Sequence, residues 1–468
     1  MLSRSIALAY HQATKHTRES LRSNAYGLDW NSMPDPWRHY LGAPIIDLPA
    51  NSPAPEITTL EALHGIEGPA IAQGPALLSS LFFHSAAVSA SKLVPSTGYR
   101  YALRVNPSSG NLHPTEFHFI TRGLHGWEDG VYHYRPSDHT AEQRAKGFEP
   151  SLFPQSQLVI VLTSIAWREA WKYRSRAYRY CCHDLGHAQE SVRLAAAALG
   201  ITLTFHSTFD DDTVTQALHL PSDEWPMGIL ASTAQATTSG PIEWTPGTPN
   251  QLSQAPIEYP LIASVHAATR VSTSHQTPIN NVPGPIASSP GFAHTVRTRR
   301  SALNFRGHDY ITRQHLETLL RLSTPSAEYI ELYVYVHLVE DLNRGVYRYH
   351  SGTLEAIHQG DQRVRAAGLS LGQELAGTSC ITISMIADFA ESFAAMGERA
   401  YRQVHFEAGT IGQRLYLAAE ATGLNCTGIG AFFDDEVNHY LDLDSPARQV
   451  VYHFAIGHKV TDSRLEAS

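Results

Sequence analysis

The chain repeats itself once, and that repeat limits its architecture more than any other feature. Gly130-Val-Tyr-His-Tyr134 returns as Gly345-Val-Tyr-Arg-Tyr349, and Arg176-Ala-Tyr-Arg179 returns as Arg399-Ala-Tyr-Arg402. Asp184-Leu-Gly186 followed by Leu194-Ala-Ala-Ala-Ala-Leu-Gly200 returns as Glu407-Ala-Gly409 followed by Leu417-Ala-Ala-Glu-Ala-Thr-Gly423. The sets fall in the same order at nearly the same spacing. So long a period rules out a solenoid and marks a duplicated domain. Such a duplication stands in for a symmetric homodimer, with the former subunit interface now inside one chain. A length of 468 residues fits two domains.

Residues 1–75 read as an extension, 76–235 as a first domain, 236–291 as a Pro/Ser/Thr-rich linker or wrapping segment, and 292–462 as a second domain. The extension opens with a helix predicted from Ile6 to about Ser20, carrying His11, Thr14, Lys15 and His16. Leu28-Asp-Trp30 and Pro34-Asp-Pro-Trp-Arg38 then give an irregular stretch packed over a domain surface. One short amphipathic piece, 257–269, interrupts the linker, and the tail beyond 460 is expected to fray. Long alanine-rich helices are predicted over 178–199 and 401–422, each stopped by a glycine, Gly200 or Gly423. Strands are predicted over 115–120, 158–163, 331–336, 380–384 and 449–455. Helices and strands mixed without strict alternation indicate an α+β fold.

Several function classes drop out. The balance is mildly acidic, 44 Asp and Glu against 35 Lys and Arg, with no basic patch interleaved with aromatics, which argues against nucleic acid. No stretch approaches membrane-spanning length, and the N-terminus lacks a long apolar core, so a soluble, cytoplasmic protein is expected. Cys181, Cys182, Cys380 and Cys426 fit neither a disulfide framework nor a zinc site. His183 and His187 have one-turn spacing but lack a companion glutamate and a third ligand, so no metal site is expected. No GxGxxG or P-loop pattern appears, and a stably bound nicotinamide is not indicated.

The most suggestive segment is Arg104-Val-Asn-Pro-Ser-Ser-Gly-Asn-Leu-His-Pro114. Pro107 fixes one backbone angle, Gly110 permits an unusual one, and Pro114 stops a helix. Ser108, Ser109 and Asn111 add two hydroxyls and a carboxamide. Such a segment is either an ordinary Ser/Asn/Gly/Pro turn or a wrap around the edge of a planar, hydrogen-bonding ligand.

Together with Trp171-Lys-Tyr-Arg-Ser-Arg-Ala-Tyr-Arg-Tyr180, Arg299-Arg-Ser301, Glu407-Ala-Gly-Thr-Ile-Gly412, Gly428-Ile-Gly-Ala-Phe432 and Ala455-Ile-Gly-His-Lys459, this loop resembles the nitroreductase-like FMN flavoprotein superfamily. Within it the chain is similar to the SagB-type dehydrogenase branch, in a tandem, two-domain form. His11-Gln-Ala-Thr-Lys-His-Thr17 and Leu28-Asp-Trp30 extend the likeness into the N-terminal region. The resemblance implies two nitroreductase-like domains, each an antiparallel-rich sheet flanked by helices, packed as an intramolecular pseudo-dimer that can exist as a monomer. It also implies FMN in a cleft shared by both domains. Arg104, Pro107, Ser108, Ser109, Gly110 and Asn111 would come from one domain. Arg299, Arg300, Ser301, Gly428, Ile429, Gly430 and Lys459 would come from the other.

The mapping is lopsided. The first block has the loop, but Phe82-Phe-His-Ser85 stands where the arginines belong and Ile201-Thr-Leu-Thr-Phe205 where the glycines belong. The second block has arginines, glycines and Lys459, but its nearest counterpart of the loop is Ser323-Thr-Pro-Ser-Ala327. One complete FMN site and one degenerate site follow. The branch also implies a catalytic Lys172-Tyr173 pair, replaced by Ala395-Met396 in the second block. The implied reaction is dehydrogenation of a heterocycle such as a peptide azoline, on a small-molecule or peptide substrate. Two alternatives stand beside it: an NAD(P)H-dependent nitro- or quinone-reductase, visited transiently by the nicotinamide, and a flavin-free partner in a modification complex. Read in isolation, Arg299-Arg-Ser301 is also compatible with a solvated basic turn, and Lys172-Tyr173 with the start of a surface helix. Arg176, Arg179, Arg399 and Arg402 recur in both blocks and read as structural salt-bridge residues, with Tyr178 and Tyr401 alongside. Asp184 and Glu407 are expected to cap or pair with those arginines, and His113 and His187 to be satisfied structural histidines.

Overall fold

A computed structural model of the protein describes residues 4–23, 27–95, 98–270, 281–325 and 327–467. Residues 271–280 of the expected linker, and Ser326 of the expected loop counterpart, lie outside the described residues.

Each half folds around one antiparallel sheet, and the two sheets share a strand order. The first half contributes β1 (Thr115–Thr121), β2 (Gly130–Arg135), β3 (Thr140–Gly147), β4 (Leu158–Ser164), β5 (Leu203–His206) and β6 (Trp225–Ser232). The second contributes β7 (Ile330–Val336), β8 (Gly345–His350), β9 (Thr353–Gln359), β10 (Ile381–Asp388), β11 (Asn425–Ile429) and β12 (Arg448–Gly457). The orders are β3-β2-β1-β4-β6-β5 and β9-β8-β7-β10-β12-β11. The central β1 and β4 are buried on both faces, which is why Leu158–Ser164 runs apolar instead of alternating. On the outer edge of the first sheet, β3 also pairs with Ile242–Trp244 from the linker and Ile45–Asp47 from the extension.

The two long helices, Ala177–Ala198 and Ala400–Ala421, lie back to back between the sheets and are buried over almost their whole length. They cross at Gly186 and Gly409. A Cβ on Gly186 would stand 2.2 Å from the Phe406 carbonyl oxygen, and one on Gly409 2.2 Å from that of His183. Only hydrogen atoms fit between the backbones there. From the crossing outward, equivalent positions keep a constant offset of 223 residues, as in Arg176 and Arg399 or Asp211 and Asp434.

Four arginines at the starts of these helices clamp the halves together, each reaching into the other half. Arg176 and Arg179 bind Asp434 at 3.0 and 2.8 Å, and Arg399 and Arg402 bind Asp211 at 2.6 and 2.9 Å. This corrects the expectation that Asp184 and Glu407 would pair with the arginines. Both acids sit further along the helix and face loops of their own half. Asp184 takes Ser108 and Ser109, whereas Glu407 accepts the backbone N–H groups of Glu328 (2.7 Å), Tyr329 (3.0 Å) and Ile330 (2.9 Å).

The extension fastens the clamp. Its first helix is Ile6–Ala13, not a helix to residue 20: the Thr14 hydroxyl folds back on the Tyr10 carbonyl (2.9 Å), and the His16 N–H is donated to Asp434 (2.9 Å). A separate turn of helix follows at Arg18–Ser23. Tyr10 sits edge-on between Tyr178 and Tyr401, equivalent residues of the two halves, with ring centroids 6.1 and 5.7 Å away. The linker contains the helix Pro260–Ala268. The tail does not fray: Leu465–Ala467 pairs with Lys92, Ser91 and Ala90 of the first half. Among the described residues no helix is long and apolar enough to cross a membrane.

Two outcomes follow from the crossing and the clamp. Gly409→Val should destabilise the protein by about 3 kcal/mol in chemical denaturation, because the obstacle is backbone and cannot rotate away. Burial alone would raise the Asp434 carboxyl, but Arg176 and Arg179 outweigh it and hold the group at about 2, below its ordinary 3.8. That stability is present above pH 3.8 and is lost as the pH falls through about 2, amounting to roughly 2 kcal/mol. Asp434→Asn should remove this part of the acid limb in a pH series of unfolding curves.

Candidate active site

The hairpin Val88–Val94 and Tyr99–Arg104 leads straight into the 104–114 segment, which forms one wall of a cavity of about 370 Å³ between the halves. The segment turns sharply, with Gly110, Asn111 and His113 all in the left-handed region (φ 58°, 61° and 48°). Asp184 holds that shape. It accepts the Ser108 hydroxyl at 2.5 Å, the Ser109 N–H at 3.0 Å and the Ser109 hydroxyl at 2.9 Å. Asn111 donates to the Ala102 carbonyl (2.9 Å), and its side-chain oxygen meets His113 Nε2 (3.1 Å). The polar side chains of the loop thus fix the loop itself and present its rim to the cavity.

Lys172 and Tyr173 end the short helix Ala166–Tyr173 rather than starting one. A side chain on Gly110 would find Tyr173 Oη at 2.6 Å and Lys172 Nζ at 3.0 Å, so the pair sits directly over the loop. Burial raises the Tyr173 phenol well above its ordinary value and keeps it neutral. Tyr180 packs on Tyr173 (centroids 4.4 Å apart) and donates to the Gly430 carbonyl at 3.1 Å.

The opposite wall comes from the second half. Arg299, Arg300 and Ser301 follow the helix Phe292–Thr298, and Thr427 to Ala431 run along the cavity beside them. Gly428 and Gly430 are required by the protein's own packing: a Cβ would strike Tyr452 Oη at 2.3 Å and Tyr180 at 2.1 Å. Gly428 N–H donates to Tyr416 Oη (3.1 Å), which also meets the Ser301 hydroxyl (2.8 Å). Ile429 is buried. Lys459 bridges to Phe305 outside the cavity wall, and its charge opposes the rise that burial imposes on Glu420.

The electrostatics of this cavity are one-sided. Arg104 donates to the Pro36 carbonyl (2.9 Å), and its guanidinium lies 4.8 Å from the Trp37 ring centroid, but its Nε and Nη1 have no partner among the described residues. Arg299 donates to the Val105 carbonyl (3.2 Å) and lies over Tyr416, leaving Nη1 without a partner. Arg300 spends its Nη groups on the carbonyls of Arg297, Arg299 and Ser89, leaving Nε. Burial pushes Arg104 and Arg300 down to about 10, and they remain cationic at neutral pH. Arg104 and Arg299, both buried, and Arg300, half-buried, each keep a guanidinium N–H to spare, a donor set suited to a multiply charged anion. His113 and His187 are neutral: burial and nearby arginines lower both, His187 to about 3.

At the repeat-related position the described residues are arranged differently. Arg193 stands for Tyr416 and is tied to Glu190 (2.6 Å), which also holds Arg414 (2.9 Å), and Arg414 in turn bonds the Leu63 carbonyl of the extension. Lys172, Tyr173, Tyr180 and His187 become Ala395, Met396, Gln403 and Thr410. Tyr180, Tyr416, Tyr452 and Lys92 of the cavity wall do not stand out in the sequence by themselves. Tyr180 and Tyr416 emerge once the two halves are compared position by position.

Residues 85–232 and 296–458 each match the Nitroreductase family. The chain is 30% identical over 116 residues to the "Putative nitroreductase MJ1384" of Methanocaldococcus jannaschii and 33% identical over 118 residues to the "Trifolitoxin-processing protein TfxB" of Rhizobium leguminosarum bv. trifolii. These matches span 24% and 22% of this chain, and only 59% and 31% of the two relatives. A solved structure, "putative nitroreductase from anabaena variabilis", superposes with a TM-score of 0.79 at 27% identity, covering 97% of this chain and 100% of the other. That likeness takes in both halves together with the extension and linker. With more than half of its length matched, and matched twice, the chain belongs to the nitroreductase family in a tandem, two-domain form.

Proposed function

We propose that the protein is an FMN-dependent oxidoreductase of the SagB type, with one flavin site assembled from both halves, that dehydrogenates a heterocycle such as a peptide azoline. Nitroreductase-family proteins are typically FMN-dependent oxidoreductases, and this chain carries the family's domain twice. One observation carries the reading: Arg104 from one half and Arg299 and Arg300 from the other line a single cavity, and each keeps at least one guanidinium nitrogen without a partner among the described residues.

In this reading the three arginines hold the phosphate dianion, Ser301 completes its hydrogen bonds, and Lys459 adds charge from outside the wall. The rim from Pro107 to Asn111, held in shape by Asp184, together with Gly428, Ile429 and Gly430, would hold the flavin ring. Bound there, FMN supplies a two-electron acceptor for hydride. Lys172 removes the proton from the atom next to the carbon being oxidised, and Tyr173, kept neutral by burial, donates a hydrogen bond that orients the base or the substrate. Tyr180 braces Tyr173 from behind. The likeness to a trifolitoxin-processing protein supports a peptide substrate, and the presence of Lys172 and Tyr173 in only the loop-bearing half supports dehydrogenation. A nitro- or quinone-reductase served by NAD(P)H is the second reading, supported by the names of the Methanocaldococcus and Anabaena proteins.

Purified protein is expected to release one FMN per chain on denaturation, read by absorbance; two per chain would refute a single composite site. Arg299→Ala combined with Arg300→Ala should weaken FMN binding by about a hundredfold in fluorescence titration, since two charge-assisted contacts are lost. Lys172→Ala should retain FMN and lower turnover of an azoline peptide by at least about a hundredfold. Unchanged turnover would remove Lys172 from the chemistry, whereas fast NADPH-driven quinone turnover in both proteins would favour the second reading.

A further inference from the structure

Behind the Ser108–Ser109 loop lies a buried acidic pair that no step above uses. Glu169 stands one helical turn before Lys172 and Tyr173 on the helix Ala166–Tyr173. It is 0% exposed, and no N–H donor reaches either of its carboxyl oxygens among the described residues. Its polar neighbours are Asp184 and Ser108, and Ser108 already donates its hydroxyl proton to Asp184. Asp184, 2% exposed, accepts hydrogen bonds from Ser108 and Ser109 of the loop.

Two carboxylates side by side in the interior cannot both be ionised. Glu169 can bond only by keeping its own proton and donating it, and Asp184 is the acceptor in reach. Burial, then the charge of Asp184, drives the Glu169 carboxyl well above the usual range, with Lys172 opposing. The other titratable groups around the pair are Tyr173 on the same helix, Cys181 on the long helix and Tyr452 on β12, all raised by burial and therefore neutral.

The second half shows that the fold does not need this pair. At the equivalent position stands Ser392, bonded to the Asp388 carbonyl (2.7 Å), and the helix, the crossing and the arginine clamp form regardless. Glu407, the counterpart of Asp184, is satisfied by backbone N–H groups alone. The acidic pair therefore goes with the half that carries the loop and Lys172-Tyr173.

We propose that Glu169 and Asp184 hold a single proton between them, and that Glu169 is thereby a positioning residue for the cofactor-facing loop. Donation from Glu169 fixes Asp184 as the anchor of Ser108 and Ser109, and it keeps a second negative charge away from Lys172 and Tyr173. The first part stands on the protein alone; the effect on cofactor binding rests on the FMN reading.

The first test uses flavin-free full-length protein at neutral pH. Infrared spectroscopy should reveal the carbonyl stretch of a protonated carboxyl group, shifted in D₂O and lost in Glu169→Gln. A difference spectrum, wild type minus Glu169→Gln, that lacks this band would overturn the shared proton. The second test is FMN affinity by fluorescence titration. Glu169→Gln, whose amide still donates to Asp184, should bind FMN as the wild type does, whereas Glu169→Leu should bind about tenfold or more weakly. A leucine variant with wild-type affinity, or a glutamine variant as weak as the leucine one, would overturn the positioning role, and the isosteric glutamine keeps the test open if leucine prevents folding. Failure of all proteins to bind FMN would sink the cofactor reading while leaving the infrared result to decide the proton.

Discussion

The contact between Gly186 and Gly409 sets the geometry of everything around it. With no side chain at either position, the two long helices approach until backbone touches backbone, and the distance between the halves is fixed at its minimum. At that distance Asp434 and Asp211, at the starts of short helices in opposite halves, come within reach of the arginine pairs on the neighbouring long helix. The same approach brings the 104–114 loop of one half against Arg299, Arg300 and Gly428 to Gly430 of the other. A methyl group at the crossing would push the cavity walls apart along with the clamp.

Around that symmetric frame the chemistry is distributed unequally. Residues that hold the halves together recur in both: Arg176 with Arg399, Arg179 with Arg402, Tyr178 with Tyr401, Asp211 with Asp434. Residues at the cavity and behind its loop occur once: Glu169, Lys172, Tyr173, Tyr180 and His187 are answered by Ser392, Ala395, Met396, Gln403 and Thr410. The extension deepens the difference, because Leu63 helps hold Arg414 in the network that immobilises Arg193 where the other half has Tyr416.

Much of this was legible in the sequence wherever the signal is local or repeated. The alanine-rich helices ending at Gly200 and Gly423, the buried apolar strands, and the separation of the loop from the arginines all rest on short-range patterns that the repeat reinforces. What escaped depends on partners distant in the chain. Arg179 meets Asp434 across 255 residues, so the nearby acid Asp184 was the natural but wrong partner. The early end of the first helix depends on Asp434 capturing the His16 N–H, and the ordered tail depends on an open strand edge at Lys92. Tyr416 and Tyr452 resemble any other core tyrosine until the fold turns them toward the cavity.

The route of the chain around that cavity also has a consequence for how the protein is made. Its walls alternate between early and late sequence: the loop at 104–114, the arginines at 299 and 300, the glycines at 428 and 430, and Tyr452. A ribosome therefore releases a complete first half, able to pair its own strands, long before the guanidinium groups opposite the loop exist. No folding intermediate built from either half alone owns the cavity. Loading of any ligand that bridges its two walls must follow synthesis and closure of the helix crossing, which makes ligand capture a report on the assembled state of the whole chain.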